Sequence, residues 1–216
     1  MTTKSYLVAC AAAIVVAAPE GRVPARYRSG PLPQVPEHAV SGGEVILQVS
    51  VTRGGIVNAI DVARSAATFT EVMTAAVRGW RFQPAEDNGP VESKVLVAAV
   101  FRPPTLYAPS TTAVANDVTS LSRDVPSPTR IVMPSYPPQS IGNRAVLVEV
   151  HVAAAGAVTS ADVVGAASGF DDAALTAARS WTFRPAEVAG APAPAVAYII
   201  FGFRQPITTS GNVDAR

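Results

Sequence analysis

Two stretches of the chain alternate apolar and polar residues with a period of two. In Val146-Leu147-Val148-Glu149-Val150-His151-Val152 the four valines share one face and Leu147, Glu149 and His151 the other, which predicts a half-buried strand. Val45, Leu47, Val49 and Val51 form the same inward set, with Gln48 and Ser50 facing out. Thr52-Arg53-Gly54-Gly55 and Ala153-Ala154-Ala155-Gly156 follow, with Gly55 and Gly156 where a tight hairpin needs positive φ. Second strands are therefore predicted over 57–62 and 158–164. The period then changes to that of a helix. Phe170, Ala174, Ala177, Ala178 and Trp181 make one apolar stripe, and Phe69, Met73, Ala76, Val77 and Trp80 another. Thr68 with Glu71, and Ser168 with Asp171, have capping-box spacing. Pro84 and Pro185 are expected to end the helices, before last strands over 94–101 and 195–203.

These matched patterns are one pattern twice. Trp80-Arg81-Phe82-Gln83-Pro84-Ala85-Glu86 is answered by Trp181-Thr182-Phe183-Arg184-Pro185-Ala186-Glu187, an offset of 101 residues that also relates Val45 to Val146, Gly55 to Gly156, Asp61 to Asp162 and Phe69 to Phe170. So regular an offset means tandem homologous domains. The boundaries read as follows: 1–18 a signal peptide or short membrane anchor, 19–30 a leader containing Pro and Arg, 31–104 a first, divergent domain. Then come 105–130 as a Pro/Ser/Thr linker, 131–206 as the second domain, and 207–216 as a flexible tail. Each repeat is β-β-α-β, a small antiparallel sheet with one helix packed on it. The expected class is α+β.

Composition narrows the chemistry. The chain of 216 residues is 49% hydrophobic but only 15% charged, with 17 Lys+Arg against 16 Asp+Glu. No basic face for nucleic acid is implied. The single cysteine excludes an internal disulfide. That residue, Cys10, lies in a run of about 13 apolar residues after Lys4, closing on Val16-Ala17-Ala18. Such a segment is a signal peptide in layout, and falls short of the roughly 18–20 residues that span a bilayer. A retained anchor, or lipidation at Cys10, is the alternative. His38 and His151 stand apart, Asp61 and Asp162 recur singly, and Gly54-Gly55 is followed by no phosphate-loop lysine. With no convergent nucleophile, base or ligand set, no catalytic site, cofactor or metal is expected.

The residues carry a resemblance. Met133-Pro134-Ser135-Tyr136-Pro137, the valine alternation with Gly156 and Val158, and Ser168-Gly169-Phe170-Asp171 continuing through Trp181-x-Phe183-x-Pro185-Ala186 closely resemble the C-terminal domain of TonB family proteins. The first repeat keeps Gly55, Trp80-x-Phe82-x-Pro84-Ala85 and Gly89-Pro90-Val91. It departs at Val35-Pro36 and at Ala66-Ala67-Thr68, where Tyr-Pro and Ser-Gly stand in the pattern.

The resemblance implies a noncatalytic periplasmic module that captures extended segments of envelope or outer-membrane transport proteins by adding them as a strand. It assigns capture to the last strand, with Val196, Tyr198, Ile200, Phe201 and Phe203, and to Tyr136 and Pro137 ahead of the domain. Trp80, Phe82, Pro84, Trp181, Phe183 and Pro185, with Gly55 and Gly156, are its structural motif. On this reading Ile200→Pro abolishes capture while the isolated first domain stays folded. The partners implied are envelope proteins, including TonB-dependent transporters, with a homodimer as an option and membrane contact only through the N-terminal segment. An energy transducer anchored by that segment is the alternative function. Against it, the apolar segment has no histidine, and the 19–33 stretch reaches at most roughly 45 Å even as polyproline II.

Overall fold

The helical stripes and alternating strands form where the sequence predicts them, and each repeat has additional short elements. In the computed structural model, residues 22–36, 39, 41–105, 109–113 and 118–206 are described. The signal-like segment with Cys10, His38 and the 207–216 tail lie outside them. The first repeat runs β1 (Arg26–Ser29), β2 (Gly43–Val51), β3 (Val57–Arg64), α1 (Phe69–Arg78), β4 (Arg81–Gln83), β5 (Ala85–Glu86), β6 (Pro90–Val91) and β7 (Ser93–Phe101). Between the repeats lie β8 (Ser110–Ala113) and a 3-10 turn, Val118–Ser120. The second repeat has β9 (Ser127–Met133), β10 (Arg144–Val152), β11 (Val158–Gly165), α2 (Asp171–Arg179), β12 (Thr182–Arg184), β13 (Ala186–Val188), β14 (Ala191–Ala193) and β15 (Ala195–Phe203).

The two repeats share one sheet. Its six strands lie in the order β11-β10-β15-β7-β2-β3, antiparallel within each repeat and parallel at the central β15–β7 junction. The helices take opposite faces. On one, Phe69, Met73 and Val77 pack on Val45, Leu47 and Val49 together with Tyr198 and Ile200 of the second repeat. On the other, Ala174, Ala177 and Ala178 pack on Val146, Val148 and Val150 together with Leu96, Ala98 and Val100 of the first. Each core is thus completed by the other repeat's last strand. The α+β class and tandem β-β-α-β units stand, but as halves of one sheet.

Several local expectations change. The 19–30 leader contains β1, which pairs with β4, and the 105–130 linker contains β8 and the start of β9, which pairs with β12. These strands satisfy backbone groups beside the helix exits, so each domain begins earlier than its apolar alternation does. Neither helix has the capping box. Thr68 makes no side-chain cap; instead Thr70 Oγ1 accepts from Ala66 N at 2.9 Å, and Asp171 Oδ1 from Ala167 N at 2.8 Å. The helices stop at Arg78 and Arg179, several residues before Pro84 and Pro185. Ordinary C-terminal turns at Gly79 and Ser180 end them. The prolines instead follow β4 and β12, beside Gly55 and Gly156.

Candidate functional site

The run 196–203 has scarcely a polar residue, and its surroundings explain why. Ala195–Phe203 pairs along its whole length with β10, from Val152↔Ala195 to Arg144↔Phe203. Its other side pairs in parallel with β7, from Ala197↔Leu96 to Gly202↔Phe101. Val196, Tyr198 and Ile200 face the first repeat's core; Phe201 and Phe203 face the second's. All are buried. Gly202 is required because a Cβ there would collide with the Phe101 ring, itself stacked on Phe69 at 4.4 Å. The strand is therefore no edge, and the expectation of open backbone on it is corrected: the two copies have supplied each other's missing neighbour. The signal was in the sequence, since a near-continuous apolar run suits a strand covered on both faces.

The supposed outward face of β10 is also covered. Leu147 is fully buried and Glu149 is 3% exposed, because Ala25 and Tyr27 of the leader and Leu32 at the start of the first domain lie across them. A buried carboxylate requires partners, and three are present. Tyr198 donates its hydroxyl to Glu149 Oε2 at 2.8 Å, Arg26 Nη2 lies 2.6 Å from Oε1, and His151 Nε2 lies 3.4 Å away. Tyr198 also accepts from Tyr27 N at 2.7 Å. Burial first, and then the Glu149 charge, push the Tyr198 pKa well above the usual phenol range. The matching position, Gln48, is likewise buried: it accepts from Ser122 N at 2.7 Å and donates to Asp61 at 3.2 Å. These polar clusters tie each repeat to chain from outside its own sheet.

The remaining predicted residues are structural in their contacts. Tyr136 is buried edge-on against Phe170 and donates its hydroxyl to the Gly142 carbonyl at 2.9 Å. Pro137 accepts from Ser140 N in the adjoining turn. The indole N–H groups of Trp80 and Trp181 donate to Pro31 O and Val132 O, both at 2.9 Å. Phe82 N and Phe183 N donate to Gly55 O and Gly156 O, both at 2.8 Å. Both glycines have positive φ, 75° and 82°, and a Cβ on either would strike the facing carbonyl of Phe82 or Phe183.

Open backbone lies elsewhere. β3 and β11 end the six-stranded sheet, each paired with one neighbour in it. They are eight residues long without proline, and Val62 and Val164 stand 45% and 37% exposed. Sequence reasoning assigned these strands no role, because without the β7–β15 pairing the last strand looked like the edge. Among the described residues, no group of three or more His, Cys, Asp or Glu could hold a metal, and no helix is long and apolar enough to cross a membrane.

Comparison with known proteins accords with this repeat structure. The family model described as Gram-negative bacterial TonB protein C-terminal matches residues 32–103 and again 133–204. No curated protein and no solved structure matches the chain.

Proposed function

We propose, from the premise that this chain belongs to the Gram-negative bacterial TonB C-terminal family and carries two tandem copies of its domain, that it is a periplasmic binding module for outer-membrane transport proteins. The family is one of noncatalytic envelope domains, which supports the general kind of partner. Capture proceeds by strand addition. The reading rests on one observation: the last strands are paired with each other, while among the described residues β3 and β11 each have a strand partner on one side only, at the two ends of the sheet. An extended transporter segment adds there, its alternate side chains meeting Val62 or Val164.

Freeing β15 instead would break the β7–β15 ladder and expose both faces of a buried strand. At roughly 1.5–3 kcal/mol for each large apolar side chain uncovered, opening several of them costs more than a short peptide returns. The outer edges need no such opening.

The test is titration of the full chain with a synthetic peptide from the extended N-terminal segment of a TonB-dependent transporter, followed by amide hydrogen exchange. Saturable binding that slows exchange of alternate amides in β3 or β11 supports the assignment. Protection confined to other surfaces, or no binding, refutes it.

A further inference from the structure

At the end of the sheet where β7 and β15 begin side by side, the two repeats line a half-open cavity of about 480 Å³. Its frame is nearly twofold. Ala25 and Pro126 hold matching places just ahead of β1 and β9, Ala85 and Ala186 follow β4 and β12, and Ser93 and Ala195 open β7 and β15. The polar groups break that symmetry. Lys94 lines the cavity where the second repeat offers Val196, and Asp124 where the first repeat has Val23. His151, at the end of β10, corresponds to Ser50, which is not in the lining. A duplicated frame with one set of polar groups can hold a single ligand in a single orientation.

The charges point to an anion. Arg26 is already paired with Glu149 at 2.6 Å. Among the described residues Lys94 Nζ meets the neutral Ser122 hydroxyl, at 3.1 Å, and Arg22 also lies in the lining. Against these two cations stands Asp124, so among the described lining residues the balance is one positive charge. Most of the remaining wall is alanine, valine and proline. A few polar groups converging on an apolar cavity of this size make a small-molecule site.

We propose that this cavity binds a small amphiphilic monoanion, an organic carboxylate with an aliphatic body. The carboxylate lies against Lys94 and Arg22, and the body covers the Ala/Val/Pro wall. Of the lining, Thr159 alone belongs to an edge strand, at the start of β11; the cations and the Ala/Val/Pro wall lie away from β3 and β11, so occupancy is read separately from strand capture.

The experiment is NMR titration of the full chain with sodium octanoate below its micellar concentration, beside octan-1-ol and octylammonium. Saturable shifts at Ser93, Lys94, Val152 to Ala154 and Ala195, with octanoate preferred over both other ligands, support the proposal. Lys94→Ala should weaken octanoate at least about tenfold, the usual weight of a charge-assisted hydrogen bond, and Asp124→Asn should strengthen it. Ala154→Trp, on an exposed turn at the cavity rim, should block binding without lowering the melting temperature. Equal binding of octylammonium, indifference to Lys94→Ala, or no saturable shift at these residues would overturn it.

Discussion

Thr68 and Gly169 occupy the same place before the two helices, and both have a left-handed backbone, with φ of 72° and 83°. Glycine adopts it freely, whereas a β-branched residue is strained there. Thr68→Gly should therefore raise unfolding stability by about 1 kcal/mol in urea denaturation. Gly156→Ala should do the reverse, lowering stability by at least about 2 kcal/mol, because its new Cβ meets the Phe183 carbonyl. Tyr198 gives a pH signature. Its folded pKa lies above the unfolded value of 10.0, so the protonated hydroxyl stabilises the fold fully below pH 10 and that contribution is lost as pH climbs beyond. Stability should fall above pH 10 with a slope that Tyr198→Phe reduces, and Tyr198 should ionise late in an ultraviolet titration.

At the scale of elements, the parallel junction between β7 and β15 controls the rest. Ile200 pairs with Leu147 on one side and Ala99 on the other. Ile200→Pro therefore should cost about 3 kcal/mol or more and unfold both repeats together, in circular dichroism and in tryptophan fluorescence, rather than spare the first. Much of this level was legible beforehand. The valine alternation, the Gly55 and Gly156 turns and the Phe69 and Phe170 stripes placed the main strands and both helices. What stayed hidden depends on contacts between distant segments. Arg26-Tyr27-Arg28-Ser29 has no alternation to announce β1, and Glu149 reads as a surface residue until Ala25 and Tyr27 cover it. The last strand looks like an edge in the sequence because a single repeat has no second neighbour to offer it. Pairing of the two copies supplies one.

Over the whole molecule, duplication has produced an internal pseudo-dimer whose repeats are not independent. Each hydrophobic core contains side chains of both, so thermal unfolding should show one cooperative transition. A fragment holding only the second repeat would expose one side of β15 and the Val196, Tyr198 and Ile200 face. It should self-associate or remain unfolded in sedimentation analysis, whereas a well-folded monomer would show that the repeats stand alone. In this arrangement β7 and β15 close the middle of one sheet and leave β3 and β11 as its edges. Amide hydrogen exchange on the full chain tests it most directly. Exchange should be slowest in Leu96 to Phe101 and Ala197 to Gly202, with alternate amides of β3 and β11 exchanging fast. Rapid exchange along β15 on the side facing β7, with slow exchange throughout β3 and β11, would contradict it.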